Sequence, residues 1–234
     1  MAAGVIVSRD GGTSSWDVGM VGVLPSHRRR GLARKLLTRS LDYLRERKAD
    51  KVTLGVIDRN VPAYSLYTSL GFEHYSGMIE YEMEPADVPA VPACPPGYVS
   101  EPFKPKDWRT RYELDHRISP AEIQQYEPVS IGRYRPPLLM RAFLPLFRLL
   151  QRRDQKGFAV RENKSGALVA LAMTTIPKSK GGVCRLRIRL DSAHPELADH
   201  LVSSHLAGLV ENGDGRRIDF MVPRWMTPLA ASAE

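Results

Sequence analysis

The segment Val21-Gly22-Val23-Leu24-Pro25-Ser26-His27-Arg28-Arg29-Arg30-Gly31-Leu32-Ala33-Arg34 runs from a β-branched end, through a proline and three arginines, into a helix. Upstream, Ser15–Leu24 reads as a strand whose apolar positions are Trp16, Val18, Met20, Val21 and Val23. Downstream the period changes. Leu32, Leu36, Leu37, Leu41 and Leu44 fall on one helical stripe, with Arg34, Lys35, Arg39 and Arg45 outside it. The first turn of such a helix leaves about four backbone N–H groups without internal acceptors, and the helix dipole adds partial positive charge. Small residues at 31 and 33 let the backbone approach a ligand, and the arginines surround the turn. The segment therefore predicts an anion cradle suited to a pyrophosphate.

Working outward, Val5–Ser8 is a short strand closed by the turn Asp10-Gly11-Gly12. Lys51–Ile57 reads as the strand after the helix. Pro62 opens a second helix through Leu66 and Leu70, with Gly71 as its left-handed cap. Met78–Met83 is a last strand. Strands alternating with helices argue for a mixed α/β sheet.

These residues resemble the acetyl-CoA-binding signature of the Gcn5-related N-acetyltransferases, the GNAT family. Its pattern, Arg/Gln-x-x-Gly-x-Gly/Ala after a strand ending Val-x-Pro, is met by Arg28, Gly31 and Ala33, with Val23 and Pro25 before them. A second signature lies about 30 residues on: Asn60, Ala63, Leu66, Tyr67, then Leu70-Gly71-Phe72-Glu73. The resemblance covers roughly residues 2–84. It implies that the amides of Arg29, Arg30, Gly31, Leu32, Ala33 and Arg34 hold the CoA pyrophosphate. It also implies that Val21, Gly22 and Val23 splay from the neighbouring strand to meet the pantetheine and acetyl carbonyl. A backbone N–H there would polarise the thioester. Asn60 would contact the pantetheine arm, and Tyr67 would protonate the departing thiolate. Tyr64, on the same helix, is the competing tyrosine. An amine acceptor must also lose a proton before attack, and Asp17 or Glu73 could take it through water.

Residues Pro85 to Pro105 hold seven of the chain's 18 prolines, which predicts a linker over 87–105. It separates a cofactor-binding module at 1–86 from a second module at 106–234. The second part reads as a strand at Tyr98–Phe103, a polar helical stretch from Lys106 to about Gln125, and an amphipathic helix at Leu138–Arg153. Strands at Gly157–Arg161, Ala167–Ile176 and Val183–Leu190 follow, then a helix at Pro195–Val210 and a strand at Arg217–Val222. The order strand, strand, helix, strand thus occurs in both parts. The resemblance implies a tandem GNAT protein, similar to the mycothiol-synthase-type arrangement, with each module incomplete and both ends clipped. The second helix start, Leu190-Asp191-Ser192-Ala193-His194-Pro195-Glu196, lacks the glycine pattern and the arginines, so this module is expected to be degenerate.

Composition bounds the remaining classes. The 234 residues are 43% apolar and 26% charged, which excludes wholesale disorder. Cys94 and Cys184 are too few for a disulfide framework, and no CxxC pair offers a zinc site. A reducing cytoplasm is the expected compartment, with no signal peptide and no membrane. The run Leu138–Leu150 is too short and too charged to span a bilayer. His194, His200 and His205 do not suggest a metal, because positions 200 and 205 lie about 140° apart on a helix. Net charge is +8, carried mainly by residues 98–234, with 22 basic against 15 acidic residues. Arg185, Arg187 and Arg189 alternate with Leu186, Ile188 and Leu190, a half-buried strand with a basic face. Nucleic acid is a distant alternative without interleaved aromatics. The expected activity is direct acetyl transfer from acetyl-CoA to a small-molecule or peptide amine, without metal. A CoA-binding pseudoenzyme or truncated product without transferase activity is the alternative.

Overall fold

The structure is a computed structural model that describes residues 2–9, 14–88, 90–104, 107–135, 153–179 and 181–233. The expected turn at 10–12 and most of the expected helix at 138–153 lie outside those residues. The described chain forms two compact units, residues 1–74 and 75–234.

In the first unit, β1 (Ala3–Arg9) and β2 (Ser15–Val23) pair antiparallel, and β3 (Lys51–Leu54) pairs parallel with β2. α1 (Leu32–Glu46) joins β2 to β3, and α2 (Val61–Ser69) follows β3. α1 is amphipathic as its leucine stripe predicts, with Leu37 and Leu44 fully buried. Val18 is the buried position of β2. β3 is three residues shorter than its apolar run suggests, stopping at Leu54 before Gly55. α2 carries Pro62 in its first turn and ends near Gly71, whose φ is +89°.

The second unit is a six-stranded sheet. Its strands are β4 (Met78–Met83), β5 (Tyr98–Pro102), β6 (Arg153–Glu162), β7 (Leu168–Pro177), β8 (Cys184–Leu190) and β9 (Ile218–Pro223). They lie in the order β4-β9-β8-β7-β6-β5, antiparallel except for the parallel pair β8–β9. α3 (Trp108–Ile118), α4 (Ala121–Gln124) and α5 (Ile131–Tyr134) precede β6. α6 (Ala198–Asn212) crosses from β8 to β9, and α7 (Thr227–Ala231) ends the described chain. The core lies between α6 and the sheet, where Leu186, Ile188, Leu201, Leu206, Phe220 and Val222 are almost fully buried.

Four expectations need correction. β4, read as the closing strand of the first module, is hydrogen-bonded along its whole length to β9 of the second sheet. The compact units accordingly divide after His74, twelve residues before the expected boundary at 86. The proline-rich stretch 87–105 is not linker throughout, because β5 lies within it. β5 occupies a sheet edge, where Pro102 costs no ladder bond. The expected helix Lys106–Gln125 is two helices, since Pro120 cannot continue α3 and its predecessor Ser119 is extended. Arg153, the expected end of a helix, instead opens β6. The basic strand is as expected: Cys184, Leu186, Ile188 and Leu190 are buried on β8 while its arginines face outward.

Candidate active site

β3 pairs with β2 only from Ser15 to Val18. Beyond that point β2 continues for five residues with β1 on one side. Leu24 N–H donates to the Ala2 carbonyl at 2.9 Å, and Gly22 lies opposite Gly4. Antiparallel alternation then turns the backbone groups of Gly22 toward β1 and those of Val21 and Val23 toward the other edge. The Val23 carbonyl accepts Arg28 Nε at 3.3 Å, which agrees with that direction. The Val21 N–H and C=O face an edge without a strand partner among the described residues. Gly19 lies where the β1–β2 register shifts, just after the last β2–β3 pair at Val18.

The chain then makes one 3₁₀ turn at Pro25–His27 and enters α1 through Gly31. Gly31 has φ +72°, and a Cβ there would meet nothing within 4 Å. Arg29 also has a positive φ, +61°, a conformation that costs a residue with a Cβ about 1 kcal/mol. The first bond of α1 is Lys35 N–H to the Gly31 carbonyl, at 3.1 Å. The amides of Leu32, Ala33 and Arg34 come before it and have no acceptor within the helix. Open space over a left-handed glycine, with unsatisfied amides behind it, fits a diphosphate. The four arginines divide into two kinds. Arg28 folds back on β2, and Arg34 donates to Ser69 Oγ at 2.7 Å, whose own hydroxyl bonds the Leu66 carbonyl. Arg29 and Arg30 are exposed and make no hydrogen bond or ion pair among the described residues.

The Arg34–Ser69 bond ties the first turn of α1 to the last turn of α2, the helix that bears the second signature. Sequence reading missed Ser69, because nothing local to it marks a partner 35 residues away. Asn60 is the N-cap of α2, its Oδ1 accepting Ala63 N–H at 3.4 Å. That hydrogen bond is a sufficient structural reason for an asparagine there. Tyr67 is half-buried, its ring edge-on to Phe72 with centroids 6.2 Å apart. Burial pushes its phenol above the ordinary value near 10, so it holds its proton. Tyr64 is exposed, so the two tyrosines of α2 have unlike surroundings. Asp17 sits on the paired half of β2 and accepts Thr53 Oγ1 at 3.2 Å. Glu73 is exposed, just beyond α2.

The equivalent turn of the second unit is closed by its own side chains. Asp191 accepts Ala193 N–H at 3.1 Å and pairs with Arg117 at 2.7 Å. Burial opposes the charged carboxylate, yet the Ala193 amide and the Arg117 guanidinium outweigh it, holding the carboxyl below its usual range. Tyr98 hydrogen-bonds both His194 Nδ1, at 2.8 Å, and Glu196. The Glu196 carboxylate accepting its proton, with lesser help from burial, pushes the Tyr98 phenol up to about 12. On β8, Arg189 pairs with Asp115 at 3.4 Å and Arg185 with Asp219 at 3.9 Å, which spends part of the basic face within the protein.

Residues 2–72 match the Acetyltransferase (GNAT) family. Mycothiol acetyltransferase from Thermobifida fusca is 41% identical over 71 residues, 30% of this chain and 22% of that protein. The protein of the same name from Thermomonospora curvata is 42% identical over 69 residues, 30% of this chain and 23% of its own. The match thus spans under a quarter of these curated relatives. Among solved structures, a tandem GNAT protein from the clavulanic acid biosynthesis pathway superposes with TM-score 0.62 at 15% identity, covering 99% of this chain and 74% of that one. A GCN5-related N-acetyltransferase from Sphaerobacter thermophilus gives 0.64 at 16% identity, over 94% and 67%. At such identities the structures speak for the fold, a mixed α/β architecture of GNAT type in tandem.

Proposed function

With residues 2–72 a GNAT-family acetyltransferase segment, we propose that the chain is an acetyl-CoA-dependent N-acetyltransferase whose cofactor site lies wholly in the first unit. The observation that carries this reading is the open edge of β2 leading into the unsatisfied amides of α1. Acetyl-CoA supplies an acetyl thioester there, and an amine attacks it directly. Gly31, Leu32, Ala33 and Arg34 offer their amides to the diphosphate, and Arg29 and Arg30 supply uncommitted positive charge beside them. The Val21 N–H, fixed by the β1–β2 register, is the donor to a carbonyl oxygen laid along the edge, an interaction that strengthens as charge develops on that oxygen.

Tyr67 is the proton donor to the leaving thiolate. A free thiol has a pKa near 8.5, so a phenol raised above 10 stays protonated until the leaving group demands the proton. Asp17 or Glu73 relays the proton lost by the amine. Asp17 is the better held of the two through Thr53. The name carried by the relatives favours a small-molecule amine over a peptide.

The deciding experiment incubates the purified chain with acetyl-CoA and a panel of small amines, and follows release of free thiol. Amine-dependent release supports the proposal. Tight CoA binding with no release for any amine would leave a cofactor-binding protein that transfers nothing.

A further inference from the structure

A cavity of about 280 Å³ runs along α6 in the second unit, and no residue of the candidate active site lines it. Register explains its walls. Lys156, Phe158 and Val160 alternate on β6 and so share one face, with Thr174 of β7 directly opposite Lys156. Leu201, His205, Gly208 and Asn212 form one stripe of α6 facing them. β6 runs parallel to β8 and α6 runs back against both, which sets Leu201 near Val160 and Asn212 near Lys156. The ring of His205 stands 5.1 Å from that of Phe158 in the middle, its Nδ1 committed to the Leu201 carbonyl at 2.8 Å.

The cavity has apolar side chains along its length and a cation at one end only. Val160 and Leu201 at one end, Phe158 in the middle and Leu209 beyond it make an apolar trough, which Ser100, His200 and Ser204 also border at the Val160 end. At the other, the exposed Lys156 ammonium makes no ion pair or hydrogen bond among the described residues. Beside it Thr174 is only 7% exposed, and its hydroxyl has no partner among the described residues. That hydroxyl is a donor able to reach an anion that enters this end. Asn212 spends one amide N–H on the Gly208 carbonyl and keeps its other groups at the same end. Gly208 is a further sign. Glycine weakens a helix interior, yet a Cβ here would meet nothing within 4 Å, because the position opens into the cavity.

We infer that this cavity binds a small amphiphilic carboxylate. Its hydrocarbon tail lies in the trough, and its anionic head sits between the Lys156 ammonium and the Thr174 hydroxyl. The inference stands on the second unit alone and is independent of acetyl transfer.

Decanoate and its uncharged counterpart decanol are the probes, titrated calorimetrically into the full chain. Saturable binding of decanoate near one equivalent is expected, with decanol at least tenfold weaker. Lys156→Met should remove that preference. Gly208→Leu should fill the cavity and abolish binding of both probes, while the melting temperature stays level or rises because the helix gains a better former. Thr174→Val, which keeps shape and volume, should weaken decanoate more than decanol and serves if the leucine disturbs folding. Absence of saturable decanoate binding would overturn the inference. So would an unchanged preference for the acid in Lys156→Met, or undiminished binding in a folded Gly208→Leu protein.

Discussion

Gly31 and Tyr67 carry the most testable claims at the scale of single residues. Two substitutions at Gly31 separate backbone from ligand. Gly31→Ala meets open space, so its only penalty is the left-handed φ of +72°, about 1 kcal/mol of stability. Gly31→Glu adds a carboxylate where the diphosphate is placed, and calorimetric CoA affinity should fall at least tenfold, about 1.4 kcal/mol. Equal CoA affinity in the folded glutamate variant would remove the cradle from the proposal. Tyr67→Phe deletes one hydroxyl, unpartnered among the described residues, and little volume, so folding and CoA binding should persist. Turnover should drop by roughly 10²-fold, the scale of a lost general acid. Tyr64→Phe, on the exposed side of α2, should leave turnover within about twofold, since exposed substitutions of this kind cost little. Because burial raises the Tyr67 phenol, acid-form activity should hold through neutral pH and fail only above the ordinary phenol range.

Among the elements, the turn between β8 and α6 shows how a helix start can be closed to an anion. Its Asp191 carboxylate already accepts an amide of that turn and neutralises Arg117. The folded carboxyl has a lower pKa than the unfolded one, whose value is near 3.9. Its contribution to stability is therefore complete above about pH 4 and is lost as pH falls through the depressed folded value. Asp191→Asn should lower the denaturant midpoint at pH 7 and flatten its decline in acid. An identical acid profile for both proteins would show that other carboxylates govern it. The elements themselves were largely legible in the sequence. The stripe Leu32, Leu36, Leu37, Leu41 and Leu44 announced α1, and the alternation around Leu186 and Ile188 announced β8, because both patterns are local. What β2 leaves unpaired was not legible from residues 15–24 alone, since it depends on where β3 stops. Nor was the cavity along α6 legible. His200 and His205 were separated by helical angle, yet both line it, because a wall is made from several strands at once.

For the whole molecule, one unit offers unsatisfied amides at a glycine turn and the other closes its turn with Asp191, Tyr98 and Glu196. A titration of the full chain should therefore saturate near one equivalent of CoA. Asp191→Ala combined with His194→Ala should leave that affinity unchanged. Two equivalents, with one lost in the double variant, would identify the second unit as a working cofactor site. Sheet membership was the least legible feature of all. The pattern Met78-Ile79-Glu80-Tyr81-Glu82-Met83 fixes which side chains share a face, but not which strand lies alongside.

That membership has a consequence for how the protein is made. β4 leaves the ribosome before any other strand of its sheet, and its hydrogen-bonding partner β9 is the last strand of that sheet to be made: Met83 lies opposite Ile218. At about 5–20 residues per second, the nascent strand waits roughly 7 to 27 s for β9. During that interval Phe220, on which Tyr81 stacks in the finished fold, has not been made. The residues of the first unit are all made once residue 74 has emerged, whereas the second must close around a strand made before its own β5. Polypeptides stalled ahead of Ile218 should thus carry a free β edge, the form in which this chain is most open to proteolysis and to pairing with a neighbour.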